Sequence, residues 1–161
     1  MPMPAHMTLT PVGEAPIEGS VTQAGREKTI LVNAFIHEVK MPRDPQTGKP
    51  TGKRFHDSLT IVKEFDKASP LLFDALCMGK RFTDVTIKFY RIDPTGSEEW
   101  YYTVKLEDAI IVNIKAWFPN CLDTAKESFV HMEDISFTYR KIIWTWEPDK
   151  IEAEDDWEIP A

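Results

Sequence analysis

The chain has 161 residues and a net charge of −7, with 42% apolar and 28% charged residues. These values fit one packed domain that buries roughly 68–70% of its unfolded surface, and they exclude a collagen, a coiled coil and a disordered tail. The acidic balance argues against a general nucleic-acid binder, and no apolar run approaches the roughly 18 residues that a membrane helix needs. We expect a single domain over residues 1–161 without membrane insertion.

The first ten residues lack both the cationic part and the apolar part of a secretory signal peptide. We therefore expect the chain to fold in the cytoplasm, with residues 1–7 as a flexible N-terminus. Cys77 and Cys121 are too few for a disulfide scaffold and have no metal-ligand spacing, so we expect two reduced thiols.

Weak period-two alternation predicts strands over residues 29–40 and 55–65. Between them, residues 41–52 contain three prolines, two glycines and almost no apolar side chains. A segment of this length and composition predicts a projecting loop, either functional or disordered. Residues 38–56 have a local net charge of +3, which is typical either of solvated surface or of a docking face.

The next segment has the pattern of a short helix over residues 69–78. Ser69 can supply the N-cap oxygen, Pro70 suits the first helical turn, and Gly79 suits a left-handed terminator. The apolar stripe of this helix must be buried, so we expect the helix to seal a barrel end or a sheet edge.

Alternation after the helix predicts further strands. Residues 85–89 alternate clearly, and the turn residues at 93–97 predict a hairpin. In residues 104–115 the even positions are apolar, which predicts one long strand or two strands joined at Asp108. Residues 135–146 form another strand with a change of parity after Arg140, which indicates a bulge or a bend.

Tryptophan and acidic residues mark the C-terminal part of the chain. Trp144 and Trp146 share one strand face, so we expect both in the core. Residues 147–161 form an acidic C-terminal extension with a net charge of −6. Trp157 lies within it, where no core is predicted, and we expect it to dock on the barrel or on a neighbouring subunit.

The sequence contains little that indicates chemistry. Its four histidines lie in separate segments without metal-ligand spacing. The adjacent acids Glu107 and Asp108 leave an acid-pair hydrolase as the enzyme alternative, although nothing implies that they face each other across a cleft. We predict no catalytic residue, no cofactor and no metal site.

Six blocks of the sequence, in this order, resemble those of one known family. They are residues 42–56, 69–76, 88–91, 103–112, 135–146 and 155–157. The chain is similar, from about Thr8 onward, to the Hcp family, the haemolysin-coregulated tube proteins of the bacterial type VI secretion system. It departs from that family at its N-terminus and around residues 117–123.

The resemblance implies a mainly β fold, a β-barrel of two antiparallel sheets with one short flanking α-helix and a projecting loop. It also implies a homohexameric ring and stacked rings that form a hollow tube inside a contractile sheath, capped by a VgrG-type spike. Effector proteins would travel in the lumen, and the subunit itself would perform no chemistry. Export would occur through the machine, which agrees with the lack of a signal peptide.

Rings and stacks need unlike, complementary patches on each subunit. The basic loop and the acidic extension are the candidates for subunit and ring-stacking contacts. The predicted contact residues are Arg43, Asp44, Pro45, Gln46, Thr47, Gly48, Lys49, Lys53, Arg54, Asp155, Asp156 and Trp157. A carbohydrate-binding β-sandwich module is the alternative, because exposed aromatic residues would suit it as well.

Overall fold

The structure is a computed structural model that describes residues 3–157. Within this range it contains one α-helix, α1 (Ser69–Met78), and a short 3-10 helix at Thr124–Lys126. The strands in the described residues are β1 (Ala5–Pro11), β2 (Ile30–Val32), β3 (Ala34–Ile36), β4 (Val39–Lys40), β5 (Phe55–His56), β6 (Leu59–Glu64), β7 (Arg81–Ile92), β8 (Glu98–Trp117), β9 (Met132–Thr138), β10 (Lys141–Trp146) and β11 (Ile151–Asp156).

Two antiparallel sheets make up the fold. The larger sheet has the order β2-β1-β7-β8-β9-β6-β3, with β10 beside β8 and β11 beside β10, and the smaller sheet pairs β4 with β5. The two ends of the larger sheet do not pair with each other, but β2 and β3 are consecutive in the chain. Between them, the Asn33 N–H donates to the carbonyl of Val62 at 2.7 Å. The predicted fold class, mainly β with two antiparallel sheets and one helix, is confirmed.

Alternating apolar side chains of the large sheet form the core. In β7, Val85 and Ile87 are fully buried, as the alternation over 85–89 predicts. Leu72 and Ala75 of α1 pack on the same core, so the helix covers the sheet as expected. Each fully buried aliphatic or aromatic side chain of this kind contributes about 1.5–3 kcal/mol through removal of its surface from water.

The helix occupies residues 69–78, as predicted, but it begins differently. Pro70 lies in the first turn, and Gly79 ends the helix with a φ of 65°. The predicted N-cap is wrong, because Ala68 holds that position. The Ser69 hydroxyl instead accepts a hydrogen bond from the Asp66 N–H at 3.0 Å, so it stabilises the turn that leads into the helix.

Strand β8 is one continuous strand, but the positions whose side chains face the core change at Asp108. This residue has a φ of 52°, and the twist moves the core face from even to odd positions. Leu106 is buried before it, and Ala109 and Ile111 are buried after it. The expectation that the later even positions share the core face is therefore wrong at Val112, which is 47% exposed, whereas Ile114 packs against the core after a register shift between Ile111 and Asn113.

A corner between β9 and β10 lies opposite this bend. β9 pairs with residues 110–117 of β8, and β10 pairs with residues 102–107. The two residues between them, Tyr139 and Arg140, produce the parity change predicted from the sequence, and the Arg140 N–H donates to the Glu107 carbonyl at 3.3 Å. The hairpin predicted at 93–97 is also present, with Gly96 at a φ of 89°.

Three expectations differ from the structure near the chain ends. The flexible N-terminus expected over residues 1–7 contains Ala5–Met7, which form the start of β1 with Met7 fully buried. Trp144 and Trp146 are only half-buried: Trp144 packs at the edge of the core, and the Trp146 Nε1 donates to Asp149 at 3.2 Å. The C-terminal extension is a strand, β11, through Asp156, and residues 158–161 lie outside the described residues.

Candidate functional site: the arm and its base

Residues 39–56, here called the arm, leave the barrel as a hairpin. At the base of the arm, β4 and β5 pair Val39 with His56. Further along, the Thr51 N–H donates to the Pro42 carbonyl at 2.8 Å. The segment predicted as a projecting loop does project, but its backbone is ordered by cross-strand hydrogen bonds.

Local hydrogen bonds also shape the tip of the arm, residues 43–49. The Asp44 N–H donates to the Lys49 carbonyl, and the Gly48 N–H donates to the Asp44 carbonyl, both at 2.8 Å. The Asp44 carboxylate accepts from the Gln46 N–H at 2.9 Å, and Gly48 provides the positive φ of 71°. The tip is therefore formed before any partner binds, which reduces the entropy lost on docking.

The basic side chains of the arm fall into two groups. Arg43, Lys49 and Lys53 are in exposed positions and form no ion pair with any residue in the range 3–157. Arg54 instead contacts β11: its Nε donates to the Asp155 Oδ2 at 2.6 Å, and its Nη2 donates to the Asp156 carbonyl oxygen at 3.1 Å.

The predicted contact residues near the C-terminus therefore lie at the base of the arm, not at its tip. Trp157 donates its indole N–H to the Tyr139 carbonyl, and its ring lies 5.5 Å from the ring of His56. Asp156 pairs with Arg140. These contacts attach β11 to the barrel and to the arm within one chain, and Trp157 docks on the barrel, the first of its two expected positions.

A polar network that the sequence did not indicate lies at the same place. Tyr139 Oη is 2.7 Å from His37 Nε2 and 2.7 Å from His56 Nδ1. His56 Nε2 is in turn 2.7 Å from Asp155 Oδ2, which Arg54 also contacts. We call these five residues the histidine–tyrosine network.

Burial and charge set the protonation of this network. Burial raises the pKa of the Tyr139 hydroxyl, and the Asp155 charge adds to the effect. The hydrogen bond from Arg54 lowers the pKa of Asp155, so that carboxyl stays ionised. Burial lowers the pKa of His37, the charge of His56 lowers it further, and Asp57 opposes both effects.

The remaining candidates for chemistry are occupied by ion pairs. Asp108 binds Arg81 at 2.7 Å, and Glu107 lies within 4.0 Å of Lys105 and Lys141. Within residues 3–157 no group of three or more histidine, cysteine or carboxylate side chains could hold a metal ion. No helix in that range is long and apolar enough to cross a membrane.

Comparisons with known proteins agree on one family. The family model described as "Type VI secretion system effector, Hcp" matches residues 7–146. The "Major exported protein" of Pseudomonas aeruginosa is 47% identical in an alignment that is 170 residues long. The alignment covers 100% of this chain and 99% of that protein.

Solved structures give the same result. A crystal structure of an Hcp protein superposes with a TM-score of 0.91 at 29% identity, covering 98% of this chain and 99% of the other. Secreted protein Hcp3 from Pseudomonas aeruginosa superposes with a TM-score of 0.78 at 40% identity, covering 96% and 98%.

The β fold and these matches define a protein of the type VI secretion class. The chain belongs to the Hcp family. The resemblance noted in the sequence is thereby confirmed.

Proposed function

We propose that this chain is the structural tube subunit of a type VI secretion system. Six copies close into a ring, and rings stack into a hollow tube that a contractile sheath surrounds and a VgrG-type spike caps. Effector proteins occupy the lumen and leave with the tube. The subunit waits in the cytoplasm, is exported through the machine, and performs no catalysis of its own.

The observation that carries this proposal is the arm. Its tip is formed in advance, and Arg43, Lys49 and Lys53 have no ion-pair partner in the described part of the chain. A second copy of the chain offers a matching surface, because the acidic residues Asp149, Glu152 and Glu154 are in exposed positions. Head-to-tail contacts between two unlike patches of this kind produce rings or open stacks.

The contact differs from the sequence-based expectation in one respect. Arg54, Asp155, Asp156 and Trp157 already bind one another or the barrel within the chain. In the proposed assembly the tip of the arm therefore docks on the neighbour, and these four residues hold the arm and β11 in position.

A charge reversal tests the role of the tip. We expect the double variant Arg43→Glu/Lys49→Glu to lose ring stacking at 0.1 M salt, as measured by sedimentation velocity and electron microscopy. The control Lys115→Glu/Lys126→Glu makes the same change in net charge at exposed positions outside the arm. Equal stacking of the arm variant, the control and the unmodified protein would contradict the proposed role of the tip.

Salt provides an independent test of the same contact. The Debye length falls from about 10 Å at 0.1 M to about 3 Å at 1 M, so attraction between exposed charges becomes short-ranged. We expect stacks of the unmodified protein to shorten over this range. Stack length that does not change with salt would show that charge does not drive the contact.

A further inference from the structure

The histidine–tyrosine network connects parts of the chain that are far apart in sequence. His37 lies between β3 and β4, His56 lies in β5, Tyr139 lies at the corner between β9 and β10, and Asp155 lies in β11. His56 and Tyr139 are both 5% exposed, so their polar atoms depend on one another for hydrogen bonds. The network therefore joins the base of the arm, the barrel corner and the C-terminal strand.

With both imidazoles neutral, only one arrangement of hydrogens satisfies the network. Ionised Asp155 can only accept, so His56 carries its hydrogen on Nε2. The Nδ1 atom of His56 must then accept, and it takes the hydrogen of the Tyr139 hydroxyl. The Tyr139 oxygen is left to accept from the Nε2–H of His37.

One added proton can be accommodated. A protonated His56 donates from Nε2 to Asp155 and from Nδ1 to the Tyr139 oxygen. The Tyr139 hydroxyl then turns toward His37, whose remaining hydrogen moves to Nδ1 so that Nε2 accepts. Each of the three hydrogen bonds between His37, Tyr139, His56 and Asp155 then still has one donor and one acceptor, and the Asp155 carboxylate offsets the new charge.

A second added proton cannot be accommodated. Both imidazoles would then only donate, and both would point a hydrogen at the Tyr139 oxygen. The hydroxyl hydrogen of Tyr139 would lose its acceptor at a buried site, which is costly. Two like charges would also lie in rings only 6.5 Å apart.

Other charges around the two imidazoles do not change the number of added protons that the network can accommodate. Arg54 places a positive charge beside Asp155, whereas Asp57 favours protonation of His37. Asp57 is itself paired with Lys40 at 3.3 Å. Among residues 3–157, the charged and titratable groups at the site, from the elements that meet there, are Glu38, Lys40, Arg54, Asp57, Tyr139, Arg140, Asp155 and Asp156.

We propose that the histidine–tyrosine network is an acid-sensitive latch, which holds the base of the arm and β11 together with at most one imidazole protonated and opens when both are. The latch is a property of the single chain. Its consequence for ring stacking, release of the arm in acid, rests on the proposed function.

The direction of the pH effect follows from His37. Burial and His56 hold the pKa of His37 below its ordinary value of 6.5 in the closed latch. The opened state regains the ordinary pKa, so it binds more protons than the closed state below about pH 6.5. The stability of the closed state relative to the opened state is therefore highest above about pH 6.5, and it decreases as the pH falls below that value.

Hydrogen exchange of backbone amides tests the latch. Between pH 7 and pH 5 we expect protection of residues 151–157 and 55–57 to fall at least tenfold, after correction for the intrinsic exchange rate. Residues 85–89 of β7, paired with β1 on one side and with β8 on the other, should keep their protection. Unchanged protection of residues 151–157 down to pH 5 would overturn the proposal.

The variant His37→Gln separates the latch from general acid effects. A glutamine amide can donate or accept but gains no proton, so we expect protection in the variant to change less than twofold over the same range. The matched control His131→Gln, outside the network, should respond to acid as the unmodified protein does. Acid loss of protection in His37→Gln equal to that of the unmodified protein would refute the latch.

A measurement on the unmodified protein covers the case in which His37→Gln does not fold. Nuclear magnetic resonance should show that protection is lost only in the state in which both imidazoles carry an added proton. A doubly protonated state that retains full protection would contradict the latch. Light scattering on the same samples measures association. Latch opening, measured by hydrogen exchange, is thereby distinguished from ring formation.

Discussion

The core beneath α1 and the base of the arm are stabilised by different interactions. The core consists of fully buried apolar side chains from the sheet and the helix, such as Phe82 and Phe137 with ring centroids 6.4 Å apart. The base of the arm is held by hydrogen bonds and ion pairs among Arg54, Tyr139 and Asp155 and two histidines.

This difference predicts two kinds of response. Apolar burial does not depend on protonation and is not weakened by screening, so the apolar contacts between α1 and the sheet should be insensitive to mild acid. The base of the arm depends on groups that titrate, so its attachment should change with pH while the barrel stays folded. The following variants separate the two regions, from the largest expected effect to the smallest.

Truncation in the core should cost the most. Phe137→Ala removes a fully buried ring and should lower the free energy of unfolding by about 3–5 kcal/mol, measured by chemical denaturation. The control Leu122→Ala, at a side chain that is 85% exposed, should change it by less than about 0.5 kcal/mol. A loss below about 1 kcal/mol for Phe137→Ala would show that this core is not packed as described.

Removal of one hydroxyl should have the next largest effect. Tyr139→Phe leaves one nitrogen of the buried His56 ring and one of the half-buried His37 ring without its partner, and should cost about 1–3 kcal/mol at pH 7.5. Tyr101→Phe is the control, because that ring packs at the surface against Trp146 with centroids 5.8 Å apart. Equal stability of the two variants would show that the network does not stabilise the fold.

The bend at Asp108 allows backbone strain to be separated from charge. Asp108→Asn and Asp108→Val both remove the ion pair with Arg81, but asparagine tolerates a positive φ and valine does not. Thermal denaturation should show the valine variant to be less stable than the asparagine variant by about 1–2 kcal/mol. Equal stabilities would mean that the positive φ of 52° does not constrain this position.

The tip of the arm should affect the stability of the subunit least. Lys49→Ala removes an exposed side chain without an ion pair in the described residues, so the free energy of unfolding should change by less than about 0.5 kcal/mol. A larger loss in denaturant titrations of the dissociated subunit would show that Lys49 supports the fold and does not serve only as a contact.

Features of the fold with local causes could be predicted from the sequence. Pro70 and Gly79 bound the helix, and the turn at residues 93–97 sets the hairpin, because each signal lies within a few residues of its effect. The parity change at Asp108 was missed, since aspartate adopts both negative and positive φ and the surrounding apolar residues fit either face.

The candidate site was predictable only in part. Composition marked the arm, and its tip is exposed apart from the half-buried Asp44 and is ordered by its own hydrogen bonds. The network was not predictable, because Tyr139 is 102 residues from His37 and 83 from His56, and period-two patterns carry no information about such distant pairs. Arg54 illustrates the same point, since its partner Asp155 is 101 residues away.

The most direct test of the central claim, that this chain functions by self-assembly, is electron microscopy of the purified protein in negative stain. The account predicts annular particles with sixfold symmetry and an open centre, together with short stacks of these rings at low salt. Monomeric particles without annuli at any protein concentration would contradict it.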